Sequence, residues 1–342
     1  MKPTTVLLIY GGESSEHDIS ILSAKNVYYS MNPQKHDVKL CFIDRNGKWW
    51  LMDDWKSNPE EHRVTQVAVL PGTSQIMILD SGTKIAIDVI FPVLHGKLGE
   101  DGTIQGLAEM MHVPVVGCGV EASAIGMNKD ATKRLLAAQG IPVAPGITIG
   151  HKYDIEEVRR QIEELSPVGP WFVKPSRAGS SVGVTKVRNI DDLQGAIDAA
   201  KNHDDTVLIE VAITGRELEV AVLGTPPSHK VSGVGEIFPG NDFYDYEDKY
   251  SLDSKSRTNI DADLEQGFSE LIRKYAADSY AALGCQGLAR VDFLLSEDGT
   301  PYVNEINTLP GFTDISMFPK LWEAKGIDQT ELVERLIELA VE

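Results

Sequence analysis

Cysteine is scarce: Cys41, Cys118 and Cys285 are the only three in 342 residues. They are too few and too scattered for a disulfide framework or a zinc site, which points to a reducing compartment and hence the cytoplasm. Positive charge is also short. Lys and Arg number 32 against 51 Asp and Glu, giving a formal net charge of −19. Nucleic acid and anionic membranes are therefore not expected partners, because a nonspecific grip on either depends on basic patches. A phosphate-bearing ligand would have to be held by local cations or by metal. Long apolar runs are missing too. Residues 6–10 form a run far shorter than a signal-peptide core or a membrane span, and Gly11-Gly12 closes it, so it reads as the first strand of a folded domain.

What is present is an ordinary globular composition, 42 % hydrophobic and 24 % charged, long enough for two or three domains with clefts between them. Strand 6–10, a Gly-rich turn GGESSEHDIS and a helix up to Ser30, with Ser15 as N-cap, open an α/β domain with a mostly parallel sheet. A second apolar run, residues 85–94, leads into HGKLGEDGTIQG and a helix over 105–111, and this domain ends near residue 120. Residues 128–139 read as a helix closed by Gly140. From Trp171 short strands dominate (WFVK, VGVTKV, VLIE, LEVAVLG), with a helical interval over 191–201, which is α+β texture for residues 121–213. Residues 214–342 add a polar, aromatic-rich loop over 239–257, a helix over 264–283, a hairpin and a C-terminal helix. A loop that long without periodicity reads as a lid or as a disordered segment.

The hairpin carries the clearest chemistry. If ARVDFLL and YVNEIN are joined by the six-residue turn SEDGTP, Asp292 falls opposite Glu305 and Arg290 opposite Asn307, all on one sheet face. Two carboxylates across a ladder repel, and a divalent cation removes the penalty. The donors are oxygens, so the ion would be Mg²⁺ or Mn²⁺ rather than zinc. A solvated edge hairpin with Arg290 neutralising one acid is the alternative.

WFVKPSRAGSSVGV ends a strand at Lys174 and supplies small residues whose N–H groups can wrap an anion, although a flexible hairpin tip fits as well. It matches neither GxxxxGK[ST] nor GxGxxG. Lys129 starts a helix, where an anion would offset its clash with the macrodipole; a solvated surface lysine is the alternative. Glu210 ends an apolar strand and Glu217 precedes another, a crossing where backbone could meet an adenine edge and a carboxylate a ribose. Glu16 and His95 follow strands of the first domain, at the carboxyl edge where open α/β sheets bind ligands. A helix-start acid and a loop histidine are their plainer readings.

Taken in order, GGESSEHDIS, LHGKLGEDGTIQG, GVEASAIGMNKDATK, VKPSRAGSSVGVTKV, FYDYEDKY, LGCQGLARVDFLL and NEINTLPGFTDISMFP resemble the D-alanine:D-alanine ligases of the ATP-grasp superfamily over nearly the whole chain. The resemblance implies an ATP-grasp fold behind an N-terminal parallel-sheet α/β domain, and an ATP-dependent ligase that makes D-alanyl-D-alanine for peptidoglycan through an acyl phosphate. It assigns Lys129 and Lys174 to ATP phosphates, the segment Glu210, Val211, Ala212 and Ile213 to adenine, and Glu217 to ribose. Asp292, Glu305 and Asn307 would hold two Mg²⁺ (or Mn²⁺). Glu16 would anchor the first substrate's ammonium and His95 would sit near its carboxylate, while Arg290 and the Gly311 amide would stabilise the oxyanion. Lys249 and Ser316 would bind the second substrate's carboxylate, and Tyr250 with Ser180 would link the lid to Glu16. A homodimer is the family expectation. Ala178 departs from relatives that carry a larger polar residue there, which implies changed loop contacts without lost activity. D-lactate- or D-serine-adding ligases are the near alternatives, and a catalytically silent nucleotide-binding regulator is the distant one.

Overall fold

A computed structural model describes residues 2–240 and 256–342. Its first sheet is built on β1 (Thr4–Gly11). The apolar run here is continuous because both faces are covered: Val6, Leu8 and Tyr10 enter one core, Leu7 and Ile9 another. Parallel neighbours flank it, β2 (His36–Ile43) on one side and β7 (Val89–Val93) on the other. Beyond β2 the sheet continues antiparallel through β3 (Trp49–Met52), β4 (Thr65–Leu70), β5 (Gln75–Ile78) and β6 (Lys84–Ala86). The seven-stranded sheet is thus mixed, with its parallel part at the end that carries the site.

Two expectations for this region need correcting. The helix α1 (His17–Ser30) has Glu16, not Ser15, at its N-cap, with no side-chain capping bond; the turn is organised instead by Ser14, whose hydroxyl accepts from the Glu16 amide and donates to the His95 carbonyl. The run over 85–94 is not one strand. It divides between β6 and β7 at opposite edges, because Asp88 turns aside to bond Thr5 through both its carboxylate and its amide.

Helices α2 (Thr103–Met111), α3 (Val120–Met127) and α4 (Lys129–Ala138) lead to the second sheet. Asn128 caps α4 by accepting from the Ala131 amide at 3.2 Å. The second sheet is antiparallel, order β10-β9-β11-β8: β8 (Gly146–Ile149), β9 (Trp171–Pro175), β10 (Thr185–Val187) and β11 (Val207–Val211). Helices α5 (Ile155–Leu165) and α6 (Leu193–Lys201) share its core. Strand β10 starts at Thr185 and not at Val182, because Ser180, Ser181 and Gly183 adopt positive φ and keep that stretch as loop.

The third sheet has order β14-β13-β12-β15-β16: β12 (Gly215–Leu223), β13 (Lys230–Phe238), β14 (Arg257–Asn259), β15 (Leu288–Ser296) and β16 (Pro301–Asn307). Helix α7 (Gln266–Ala282) packs on its inner face, while α8 (Met317–Glu323) and α9 (Gln329–Val341) join the core under β1. All three cysteines are free and buried, and among the described residues no helix is long and apolar enough to cross a membrane.

The hairpin reaches the predicted pairing by an unpredicted route. Asp292 does face Glu305 and Arg290 does face Asn307. At the tip, however, Leu295 pairs with Pro301, so the turn is one residue tighter than SEDGTP, and a β-bulge at Asn304 restores the register. The burial pattern agrees: Val303 and Ile306 point into the core with two cleft-side residues, Asn304 and Glu305, between them.

Candidate active site

Two cavities meet under the third sheet. One, of about 770 Å³, lies between the second and third sheets and is lined by Phe172, Lys174, residues 210–219 and Asp292. The other, of about 360 Å³, is lined by Glu16, His95, Arg290, Gly311 and Ser316. Lys129, Ser180, Glu219, Ile237 and Glu305 line both, so they form the common wall.

At that wall three carboxylates stand in line across adjacent strands, Glu219 opposite Asp292 and Asp292 opposite Glu305. Arg290 answers them. Its Nε and Nη2 donate to the two Asp292 oxygens at 2.7 Å each, and Nε lies 3.2 Å from Glu219. Burial works against the guanidinium charge, but Asp292 and Glu219 outweigh it and hold Arg290 well above its ordinary value. Asn307 Nδ2 donates to Asp292 at 2.9 Å, and Lys129 Nζ lies 3.4 Å from Glu305. Glu219 is a residue that sequence reading missed, although the alternation in RELEVAV puts it on the same face as Glu217. Every anionic donor is oxygen, which fits a hard divalent ion. Among the described residues no three His, Cys, Asp or Glu side chains already converge on a metal position; the acids are engaged with Arg290 and Lys129 instead.

In the larger cavity, the Lys129 side chain extends from the first residue of α4 to the Ala178 carbonyl, 2.7 Å away. Ser176 ties that helix start to the end of β9: its carbonyl accepts from the Lys129 amide, and its hydroxyl donates to Asn128 Oδ1. The loop that follows is pinned by Arg177, which forks onto Asp204 at 2.7 and 3.0 Å. Ser180 and Ser181 then take φ of 50° and 59°, left-handed values that cost about 1–2 kcal/mol each for a residue with a side chain. This bend aims the Ser180 hydroxyl at Glu16, to which it donates at 2.5 Å.

Lys174 and Glu210 form a buried ion pair across β9 and β11. Lys133, which sequence reading also missed, approaches the other Glu210 oxygen at 2.6 Å. Burial alone would raise the Glu210 carboxyl, but Lys133 and Lys174 overcome it and bring it down to about 2. The signal for Lys133 was the spacing in KDATK, four residues after Lys129. Downstream, the Val211 and Ala212 amides donate to the Pro145 and Pro170 carbonyls. Ile213 and Glu217 line the cavity wall, and Glu217 lies within β12, not ahead of it.

In the smaller cavity, Glu16 and His95 do sit just past the carboxyl ends of β1 and β7. Gly96 has φ +72°, a left-handed value that favours glycine, and it packs against Glu16 Oε2, which an added Cβ would meet at 2.7 Å. His95 is buried, with Nδ1 3.2 Å from the Leu309 carbonyl and Nε2 3.2 Å from Ser23 Oγ. Burial opposes its charge, but Glu100, 3.8 Å from Nδ1, and then Glu16 favour it, and its pKa is raised. Glu100 is a third residue that sequence reading missed; burial, then Glu16 nearby, raises its carboxyl against the pull of His95. Ser316 Oγ packs under Gly311, where an added Cβ would meet it at 2.8 Å, and accepts from the Thr313 amide. Lys249 and Tyr250, with most of the lid over 239–257, lie outside the described residues.

A nucleotide-sized cleft between two antiparallel sheets, opening onto a small polar cavity at the edge of an α/β sheet, defines an ATP-grasp ligase. The D-ala D-ala ligase N-terminus model matches residues 5–118 and the D-ala D-ala ligase C-terminus model residues 135–338. The chain belongs to the D-alanine–D-alanine ligase family. It is 44 % identical to the D-alanine--D-alanine ligase of Ruminiclostridium cellulolyticum, covering 100 % of this chain and 96 % of that one. With the Acetivibrio thermocellus enzyme of the same name it shares 45 % identity, over 98 % and 96 %. Among solved structures, the D-alanine-D-alanine ligase from Coxiella burnetii superposes with a TM-score of 0.90 at 35 % identity, covering 100 % and 94 %. The VanG D-Ala:D-Ser ligase from Enterococcus faecalis superposes with 0.89 at 35 %, covering 99 % and 100 %.

Proposed function

We propose that this protein joins two D-alanines at the expense of ATP, in the cytoplasm and as a homodimer, for peptidoglycan precursor synthesis. The observation that carries the reading is the common wall. A phosphate donor in the larger cavity and a carboxylate in the smaller one would meet between Lys129 and Glu305.

The triphosphate lies along Lys174 and Lys129, with adenine against the segment 210–213 and ribose at Glu217. Asp292 and Glu305, now engaged by Arg290 and Lys129, would hold Mg²⁺ or Mn²⁺ together with Asn307. The metal ions, when bound, neutralise phosphate charge and make the γ-phosphorus a better electrophile. Glu16 takes the ammonium of the first D-alanine, Ser180 holds Glu16 in place, and the substrate carboxylate attacks the γ-phosphorus near His95, forming the acyl phosphate as the bond to ADP breaks. The second D-alanine, its carboxylate against Ser316 and Lys249, attacks the acyl carbon through its neutral amine, and the tetrahedral intermediate expels inorganic phosphate as the nitrogen loses a proton. Arg290 and the Gly311 amide meet the oxyanion that grows in that step. Water must be kept out while the acyl phosphate exists, the role assigned to the lid with Tyr250.

The test is a product assay with ATP, Mg²⁺ and a panel of D- and L-amino and hydroxy acids. D-Alanyl-D-alanine should dominate at neutral pH. A preference for D-lactate or D-serine as second substrate would overturn the dipeptide assignment, and phosphate release indifferent to D-alanine would leave only a nucleotide-binding protein.

A further inference from the structure

Lys133 has no part in those roles, yet it and Lys174 are the two buried lysines among the described residues. It follows Lys129 by four residues on α4, the spacing that puts both ammonium groups on one helix face. Lys129 turns to Glu305, and Lys133 to Glu210. One carboxylate, 6 % exposed, is thereby held from both sides: Lys133 meets Oε1 at 2.6 Å and Lys174 meets Oε2. Two ammonium groups around one carboxylate leave surplus positive charge where water is scarce, an arrangement that costs energy until an anion joins it.

The two lysines are not equivalent. Lys174 lines the nucleotide cavity, and Lys133 stands behind it, outside the lining. We propose that Lys133 is a positioning residue, the standing counter-ion of Glu210, whose presence lets Lys174 turn from Glu210 to a nucleotide phosphate without stranding a buried carboxylate. The inference rests on the proposed assignment of Lys174 to phosphate. Charge balance supports it. Burial brings the Lys133 ammonium down to about 8 even beside Glu210, and Lys174 adds to that lowering, so departure of Lys174 relieves a repulsion and tightens the remaining pair.

The test measures binding of Mg·ADP to the full-length protein by calorimetry. Lys133→Met should weaken binding on the order of tenfold to a hundredfold, since Lys174 then leaves an unpaired buried charge. The KM for D-alanine should stay within about twofold, as expected of a site without shared partners. Lys174→Met examines the premise: unchanged ADP binding there would overturn the assignment of Lys174 and this inference with it. Weakened binding in Lys174→Met but normal binding in Lys133→Met would overturn the inference alone. If Lys133→Met does not fold, Glu210→Gln is compared with Glu210→Gln/Lys133→Met. With no carboxylate to strand, the two should bind ADP within about twofold of each other, and a further tenfold loss would make Lys133 a packing residue only.

Discussion

The larger cavity draws its charges from stretches that are each nearly continuous in sequence, residues 129–133, 172–186, 210–219 and 290–305. The smaller cavity gathers Glu16, His95, Ser180, Gly311 and Ser316 from segments up to 300 positions apart. The electrostatics differ in the same way. Around the larger cavity, lysines and acids stand in ion pairs, Lys129 with Glu305 and Lys174 with Glu210, that a ligand must exchange. Around the smaller cavity, Glu16 and Glu100 crowd one buried histidine, and hydrogen bonds with Ser180, Ser23 and the Leu309 carbonyl set Glu16 and His95. Charge exchange therefore governs one side and placement the other, so substitutions should act on kcat or nucleotide affinity in the first case and on substrate KM in the second.

The sharpest way to break that contrast is Glu305→Gln, which keeps size while removing metal-binding charge. Turnover should fall on the order of a thousandfold, because a bound metal contributes several kcal/mol to such a transition state; near-normal phosphate release would show that the hairpin acids do not hold metal. Next in size, Arg290→Met should lower kcat about a hundredfold through loss of oxyanion stabilisation, with KM for D-alanine little changed in steady-state assays. A smaller effect is expected of Ser180→Ala, which removes the donor to Glu16: KM for the first D-alanine should rise about tenfold, the worth of a hydrogen bond to a charged group, while ADP affinity stays put. If ADP affinity fell instead, the two cavities would not be separable.

The gentlest test uses acid unfolding. Glu210 is held at about 2 in the fold against an ordinary 4.5. A depressed carboxyl contributes stability that is fully present above 4.5 and is lost as pH falls toward 2. Glu210→Gln should flatten the stability–pH curve across that window, measured by denaturant midpoints, and an unchanged slope would mean the pair with Lys133 and Lys174 is no stronger folded than unfolded.

What the sequence disclosed follows the same division. Strand alternation was enough to set Asp292 against Glu305 and Arg290 against Asn307, because those neighbours are joined by one short turn and chain stiffness does the rest. Even there the agreement is a cancellation: the turn is one residue shorter than SEDGTP, and the bulge at Asn304 adds that residue back. Glu219 obeys the same alternation but pairs with a residue 73 positions further on, and Lys133 faces inward on a helix whose partner strand lies in another sheet. Neither partner could be located by period alone. Glu16, Ser180 and Gly311 could be placed together only through resemblance to a family, since nothing local marks Ser180 as the residue that will bend back to Glu16. The seven-block likeness carried the activity; the hairpin carried the chemistry.

The extra residue in β16 has one more effect. A regular strand offers a ligand only every second side chain, so a ladder of donors along one edge is sparse by construction. By admitting Asn304 out of phase, this strand turns two successive polar groups, Asn304 and Glu305, toward the same cavity. Removing that single position would leave the order of inward and outward residues intact, yet thin the oxygen supply at the point where the triphosphate is expected to end.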